Sequence, residues 1–400
     1  MTRNLNSFLF IAFFAVLCIS CNNQEKPFIT SPEVIILQNG LLIDGNGSKP
    51  VQNGYIVIES GHIKYIGDDS KLTIPENARI VDLTGKTIMP GFINAHVHYG
   101  YDASNLKEWA KSGVTTVRDL SNLHLSIHES FALRDELLND NENARLVAAG
   151  PMISAIGGYG NYYVSSPEDA QQKTLNIINS GADIIKIAIE DNLQGRRWNM
   201  LSMDEINNIV QTAHENNIPV SAHISQAKQL DIAIASGVND VAHMIIDELS
   251  DDHITQMIDR NIYWVPTLEL WNGVSEIHTL NLDIVAIRNL RKFVNSGGKV
   301  ALGTDYNGYI NEFDLGMPVK EIKLMQDAGM TNMDIIMAGT RYASIVCNLE
   351  SEIGTVEEGK IADLLILNDN PIKDINALTN VFMVIHNGSI IRNANLKSDF

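Results

Sequence analysis

Gly91-Phe92-Ile93-Asn94-Ala95-His96-Val97-His98 reads as a short apolar strand that ends in two histidines. Residues two apart on a strand leave the same side, so both imidazoles project from one face at one end. Seven further runs follow, at 114–120, 146–149, 183–187, 219–223, 240–244, 262–268 and 300–305, with helical stretches between them. Strands alternating with helices signal βα units and a parallel sheet. Eight such units spread over residues 90–354 match the number and size of a (β/α)8 TIM barrel, about 250 residues. The expected fold class is therefore α/β. Helix-start signals agree with it. Ser166-Pro167-Glu168-Asp169 offers an N-cap followed by proline and acids, and Ser202 to Glu205 has capping-box spacing. Gly181, Gly237 and Gly297 stand where left-handed C-caps are expected.

Outward from the barrel, the pattern changes to short β-rich runs. At the N-terminal side these are 34–37, 40–44, 55–59 and 62–66, with Asn39-Gly40, Asn53-Gly54 and Ser60-Gly61 read as turns. The C-terminal side repeats it at 363–367, 381–386 and 389–392, with Asn387-Gly388 between the last two. Two β segments, 34–89 and 355–400, bracket the barrel and predict one small β-sandwich built from both ends. The chain starts with a targeting pattern: Arg3, an apolar run over 8–19, then Ser20-Cys21. The apolar run is short for a membrane span and suits a signal peptide over 1–20. Cys21 after a small residue resembles a bacterial lipobox, although Leu17 stands one place early and Cys18 takes the usual leucine site. The expectation is an exported cell-envelope lipoprotein with a lipidated Cys21 and a linker to residue 33; an ordinary signal peptide or an uncleaved anchor is the alternative. Cys347 is then the one remaining thiol, so no disulfide framework is expected.

A net charge of −19 argues against a nucleic-acid partner, which needs Lys and Arg for its phosphates. A small-molecule substrate is expected instead, with membrane contact only through the lipid anchor, and a homo-oligomer is left open. The chemistry lies at the strand ends. An HxH pair alone is equally compatible with two unrelated strand histidines. Here the other runs add to it: Lys186 inside Asp183-Ile184-Ile185-Lys186-Ile187, then Ala222-His223, Ala242-His243 and Gly303-Thr304-Asp305. The C-terminal ends of barrel strands are where such enzymes build their sites. Imidazole and carboxylate are the ligands of catalytic zinc, which keeps a position open for water. Lys186 on an apolar strand is costly as an ammonium. As a neutral amine it could take up carbon dioxide, and the resulting carbamate could bridge two metals.

At these residues the chain resembles the amidohydrolase superfamily, and most closely its imidazolonepropionase-like and prolidase-like members. The matching pieces are Met89 to His98, Gly113-Val114-Thr115-Thr116-Val117-Arg118-Asp119, the Lys186 strand, the two single-histidine strands, Leu302 to Asp305, and Gly354 to Leu364. The resemblance implies two divalent metals, with zinc the expected ion. His96 and His98 would hold one with Asp305, His223 and His243 the other, and carboxylated Lys186 would bridge them. It also implies hydrolysis of an amide-type C–N bond in a dipeptide, N-acyl amino acid or cyclic amide, with Asp305 accepting the proton of the attacking water. The chain departs from the prolidase-like pattern at Gly157-Gly158-Tyr159-Gly160, where those members often carry histidine in place of Tyr159.

Three other readings use the same residues. A lactonase or phosphotriesterase would need the same metal pair. A heterocycle deaminase would need a proton-donating glutamate three residues after His223, where this chain has Gln226, which cannot relay a proton. A non-catalytic binding lipoprotein would be expected to have lost a ligand, and none is lost. For substrate binding, Tyr159, Arg196 and Arg197 are the candidates, since loops after the strands form the pocket in this fold. A guanidinium beside aromatic rings suits a carboxylate, or both arginines are solvated loop charges. His124, His128, His214 and His253 read as solvated.

Overall fold

The computed structural model describes residues 34–67, 74–193, 195–278, 281–307 and 314–394, so the expected signal peptide, Cys21 and linker lie outside the described residues. Both chain ends do combine in one sheet. In spatial order it runs Ser389–Asn393, Val381–His386, Leu364–Leu367, Thr87–Pro90, Val34–Leu42, Val51–Glu59 and His62–Gly67, with Arg79–Asp82 also paired to Val34–Leu42. Thr87–Pro90 joins the two ends, antiparallel to Leu364–Leu367 and parallel to Val34–Leu42. Strand alternation sorts its faces. Leu364 and Ile366 enter a core with Ile35, Leu37, Ile56 and Ile58, whereas Leu365 and Leu367 pack into the larger core of the parallel strands.

Two expected turns are corrected here. Asn39-Gly40 and Asn53-Gly54 lie inside long strands, and the pairing register slips between Leu37 and Gly40. Asn39 (φ 68°) and Asn53 (φ 54°) are left-handed. A bulge demands the same backbone conformation as a turn, so the dipeptide alone does not separate the two. Gly40 is required for another reason: a Cβ there would stand 2.7 Å from Ile88. Ser60-Gly61 and Asn387-Gly388 are turns as expected.

Phe92–Val97, Val114–Asp119 and Arg145–Ala148 form one parallel sheet. A second contains Tyr162–Val164, Ile153–Ala155, Ile185–Ala188, Val220–His223, Asp240–Ala242 and Tyr263–Val265, again parallel. Most residues of these runs are buried, polar ones such as Arg118, Lys186 and Asp240 included, because helices cover them. The caps read from the sequence are in place: Ser202 and Glu205 form a capping box, Ser166 precedes a proline-led helix, and Gly237 (φ 79°) closes its helix left-handed. The eighth run, 300–305, is not a regular strand. It makes single bridges, Val300 to Trp264, with Tyr306 bridging Val97 just beyond it. Its backbone bonds are irregular because it bends at the end. Ala95 N–H donates to Leu302 O (2.8 Å), while both Thr304 and Asp305 N–H donate to His96 O (3.1 and 2.8 Å). Gly303 permits that approach, since a Cβ there would lie 2.8 Å from His96 Cβ. On the other side Asp183 links the two sheets, its N–H donating to Ala148 O (3.1 Å) and its carboxylate accepting from Ala148 N–H (2.8 Å).

Cys347 is a buried free thiol. Among the described residues no helix is long and apolar enough to cross a membrane.

Candidate metal centre

Side chains from several strand ends meet at one point. His96 Nε2 and His98 Nε2 lie 3.2 and 3.0 Å from the same oxygen, Asp305 Oδ1, and these three side chains form a group able to hold a metal ion. Asp305 Oδ1 is buried yet has no hydrogen bond among the described residues. Two imidazole nitrogens thus meet one carboxylate oxygen, a donor set suited to a divalent cation. His243 adjoins the group, with its ring 4.7 Å from that of His96 and its Nδ1 3.5 Å from Asp305 Oδ2. His223 follows, 4.5 Å from His243 between ring centres. Lys186, 2% exposed, lines the same cavity, and its Nζ has no hydrogen-bond partner among the described residues.

This arrangement carries backbone strain. His243 (φ 76°) and Asp305 (φ 61°) are left-handed non-glycine residues at the last turn of their strands, and Thr267 (φ 49°) is another. Each such residue costs on the order of 1–3 kcal/mol. His243 N–H is pinned to Val265 O at 2.9 Å, and Thr267 Oγ1 stands 3.2 Å from His243 Nδ1.

The charges on His96, His243 and Lys186 fit a metal centre, and that on His98 does so once its proton is displaced. Burial drives the pKa of His96 and His243 well below the ordinary value, aided by Lys186, so both present neutral imidazoles. Burial also brings Lys186 down to about 7, with Asp240 opposing and Arg118 assisting. A neutral amine is thus within reach at ordinary pH. Burial works against a charge on His98, but Asp305 and Asp119 outweigh it and raise His98 to about 9.

Above these groups lies a cavity of about 830 Å³, lined from the ends of the first five strands and by His243 and Asp305. Tyr159 stacks against His223 (4.5 Å) and meets Trp198 edge-on (5.5 Å). Burial pushes the Tyr159 phenol up to about 12, so it is a neutral donor. Arg196 covers the Trp198 ring at 3.8 Å and lines the cavity. Arg197, its neighbour on the short hairpin Asn192–Leu193 with Arg196–Arg197, is exposed and does not line it. His124, read as merely solvated, is exposed but lines the mouth. His214 and His253 pair with Asn239 and Asp231 away from the cavity.

Two functional candidates escaped the sequence reading. Asp119 is buried beside His98 and accepts N–H bonds from Gly100 and Ser121. Glu190 is buried 3.4 Å from His223 Nε2. Each had a signal, a carboxylate at the C-terminal end of an apolar run, the same position that singled out Asp305.

The sequence profile of the amidohydrolase family matches residues 87–391. The chain belongs to the amidohydrolase family. Among its relatives is the ochratoxinase of Aspergillus niger, 24% identical over 440 aligned residues that cover 92% of this chain and 89% of that protein. An imidazolonepropionase of a Geobacillus species is 25% identical over 374 residues, covering 80% and 84%. A solved Xaa-Pro dipeptidase with bound methionine in its active site superposes with a TM-score of 0.78 at 25% identity, covering 90% of this chain and 99% of that one. As an amidohydrolase the chain is a hydrolase, and the family's typical need for divalent metal agrees with the His96, His98 and Asp305 group.

Proposed function

We propose that this amidohydrolase cleaves an amide-type C–N bond in a small molecule, a dipeptide, an N-acyl amino acid or a cyclic amide, at a centre of two divalent ions, with zinc the favoured metal. The observation that carries the reading is the buried Lys186 Nζ, unpartnered and near neutral, beside the unbonded Asp305 Oδ1 and the four histidines. A buried amine without a partner is costly, and conversion to a carbamate, with loss of one proton, gives it the charge to hold cations. The scaffold in this reading is a (β/α)8 barrel over 90–354, closed through the 300–305 run on one side and Asp183 on the other, with the two-ended sheet as its accessory β-sandwich.

His96, His98 and Asp305 would hold one ion, His223 and His243 the other, and carboxylated Lys186 would lie between them. When bound, the ions would lower the pKa of a water and polarise the amide carbonyl. Asp305 then accepts the proton of the attacking water and returns it to the leaving nitrogen. Tyr159 and Arg196 form the wall that orients the substrate. Arg196 offers paired donors to a carboxylate, a group present in Xaa-Pro dipeptides and N-acyl amino acids. Names among the relatives, ochratoxinase, imidazolonepropionase and Xaa-Pro dipeptidase, support C–N hydrolysis as the reaction class.

The test is metal analysis of the purified protein together with a hydrolysis screen of Xaa-Pro dipeptides, N-acyl amino acids, cyclic imides and lactones. Close to two ions per chain and turnover of one amide class are expected. Turnover confined to the lactones, or none by the zinc-loaded protein, would overturn the reading.

A further inference from the structure

Glu190 poses a question the centre itself does not answer: what balances its charge. It stands four residues after Lys186, just beyond the strand Ile185–Ala188, and its side chain is completely buried. No lysine or arginine pairs with it among the described residues. Donors from separate segments nevertheless hold it as an anion. Oε1 accepts from Asn192 N–H (2.8 Å) and Gln229 Nε2 (2.8 Å), and Oε2 accepts from Ser225 Oγ (2.6 Å). Oε2 also faces His223 Nε2 at 3.4 Å, and that nitrogen is buried with no hydrogen bond among the described residues. A buried carboxylate is costly unless paired, and an imidazole whose other nitrogen binds a cation is the partner that would balance it.

We infer that Glu190 is a positioning residue for His223: its carboxylate selects the tautomer protonated at Nε2 and leaves the Nδ1 lone pair for metal. The inference rests on reading His223 as a ligand. The 3.4 Å separation is longer than a charge-assisted bond, about 2.7–2.9 Å. Gln229 and Ser225 do not touch the ligands; they fix the carboxylate that fixes the ring.

Two readouts on the full chain test this. In the metal-stripped protein, ¹H–¹⁵N spectra of labelled histidines should report His223 as the Nε2–H tautomer, assigned by the signal lost in His223→Gln. Glu190→Gln keeps the shape and the Asn192 and Gln229 bonds, and the Ser225 hydroxyl can reverse its role. Its amide, however, presents a donor to His223 and should shift the ring to the Nδ1–H tautomer. Zinc titrated into this variant should bind one of its two sites about 10- to 100-fold more weakly than in the unaltered chain, while Glu190→Asp recovers part of that loss. A wild-type His223 carrying its proton on Nδ1 overturns the inference without reference to any variant. So does a Glu190→Gln protein with unchanged zinc affinity. If the unaltered chain binds no zinc at all, the metal reading fails instead, and the tautomer still decides whether Glu190 orients the ring.

Discussion

Two buried charged groups occupy the same parallel strands and differ in one respect. Deeper among the strands, Arg118 and Asp240 are both completely buried and completely satisfied. The guanidinium donates to both carboxylate oxygens (2.9 and 3.1 Å), to Ala95 O (2.6 Å) and to Val346 O (2.7 Å), and Ser221 Oγ donates to Asp240 (2.7 Å). At the strand ends, Lys186 Nζ, His96 Nδ1, His223 Nε2 and Asp305 Oδ1 are just as buried and have no hydrogen bond among the described residues. Native proteins leave few such groups unpaired. The saturated cluster is a part of the fold, and the unsaturated one adjoins the His96, His98 and Asp305 group able to hold a metal ion.

The sharpest way to break this contrast is to exchange the two lysine and arginine positions for methionine. Lys186→Met should abolish turnover and lower metal content, yet leave the metal-free protein as stable as before or more so, because it removes a buried amine that has no partner. Metal analysis, a hydrolysis assay and urea unfolding of the stripped protein read all three. Retained activity in Lys186→Met would remove the bridging role. Arg118→Met should do the reverse, costing about 3–5 kcal/mol by stranding Asp240. The double change Arg118→Met with Asp240→Leu should recover much of that loss in the same unfolding experiment. If Arg118→Met unfolds like the parent, saturation is no guide to stability here.

How far the sequence revealed this division follows from what each kind of residue displays. His96, His98, His223, His243 and Asp305 were legible because each ends an apolar run, a position where packing alone has little use for a polar side chain. Lys186 was legible as a charge inside a strand. Strand positions followed from apolar runs bounded by glycine and helix caps, but 300–305 escapes regular pairing because Gly303 and the bend at Asp305 serve the site. Asn39-Gly40 and Asn53-Gly54 misled because a bulge and a turn ask for the same residues. Arg118 and Asp240 are 122 positions apart, and nothing local to either names the other. Arg197 could not be told from Arg196, since on a two-residue hairpin strand adjacent side chains point to opposite faces and the hairpin's orientation is a tertiary fact.

That pair of arginines gives a smaller test of the cavity side of the contrast. Arg196, over Trp198 and on the cavity wall, should matter for substrates that end in a carboxylate, and Arg197 should not. Arg196→Ala is expected to cost about 1.5–3 kcal/mol in binding a carboxylate, or roughly 10- to 150-fold in kcat/KM, against little for the matched amide. Arg197→Ala should leave both unchanged. Equal losses on acid and amide would assign Arg196 to packing on Trp198.

Glu269 has an unpaired buried atom but lies outside the cavity. Its Oε2 has no hydrogen bond among the described residues, while Oε1 accepts from Asp314 N–H (3.3 Å). The neighbouring Glu321 takes both N–H groups of Leu268 and Glu269 at the start of the helix Leu268–His278. Those two bonds favour charge on Glu321, but its burial outweighs them and raises it to about 8 as well. Burial, with the charge of Asp314 beside it, raises Glu269 to about 8. Here the orphan oxygen is answered by a proton rather than by a metal, and pH can reveal it. The folded form holds a proton that the unfolded chain has released above its ordinary value, so stability is fully present below that value and is lost as pH rises through about 8. The slope from one such group is at most about 1.4 kcal/mol per pH unit. Glu269→Gln, which keeps a neutral side chain of the same shape, should flatten the decline between pH 5 and 8 by up to that amount, without changing metal content. Thermal unfolding of the metal-free protein and its variant across that range measures it. Parallel curves for the two would mean that Glu269 is ionised in the fold, and that an unpaired buried oxygen outside the cavity is tolerated without a proton to neutralise it.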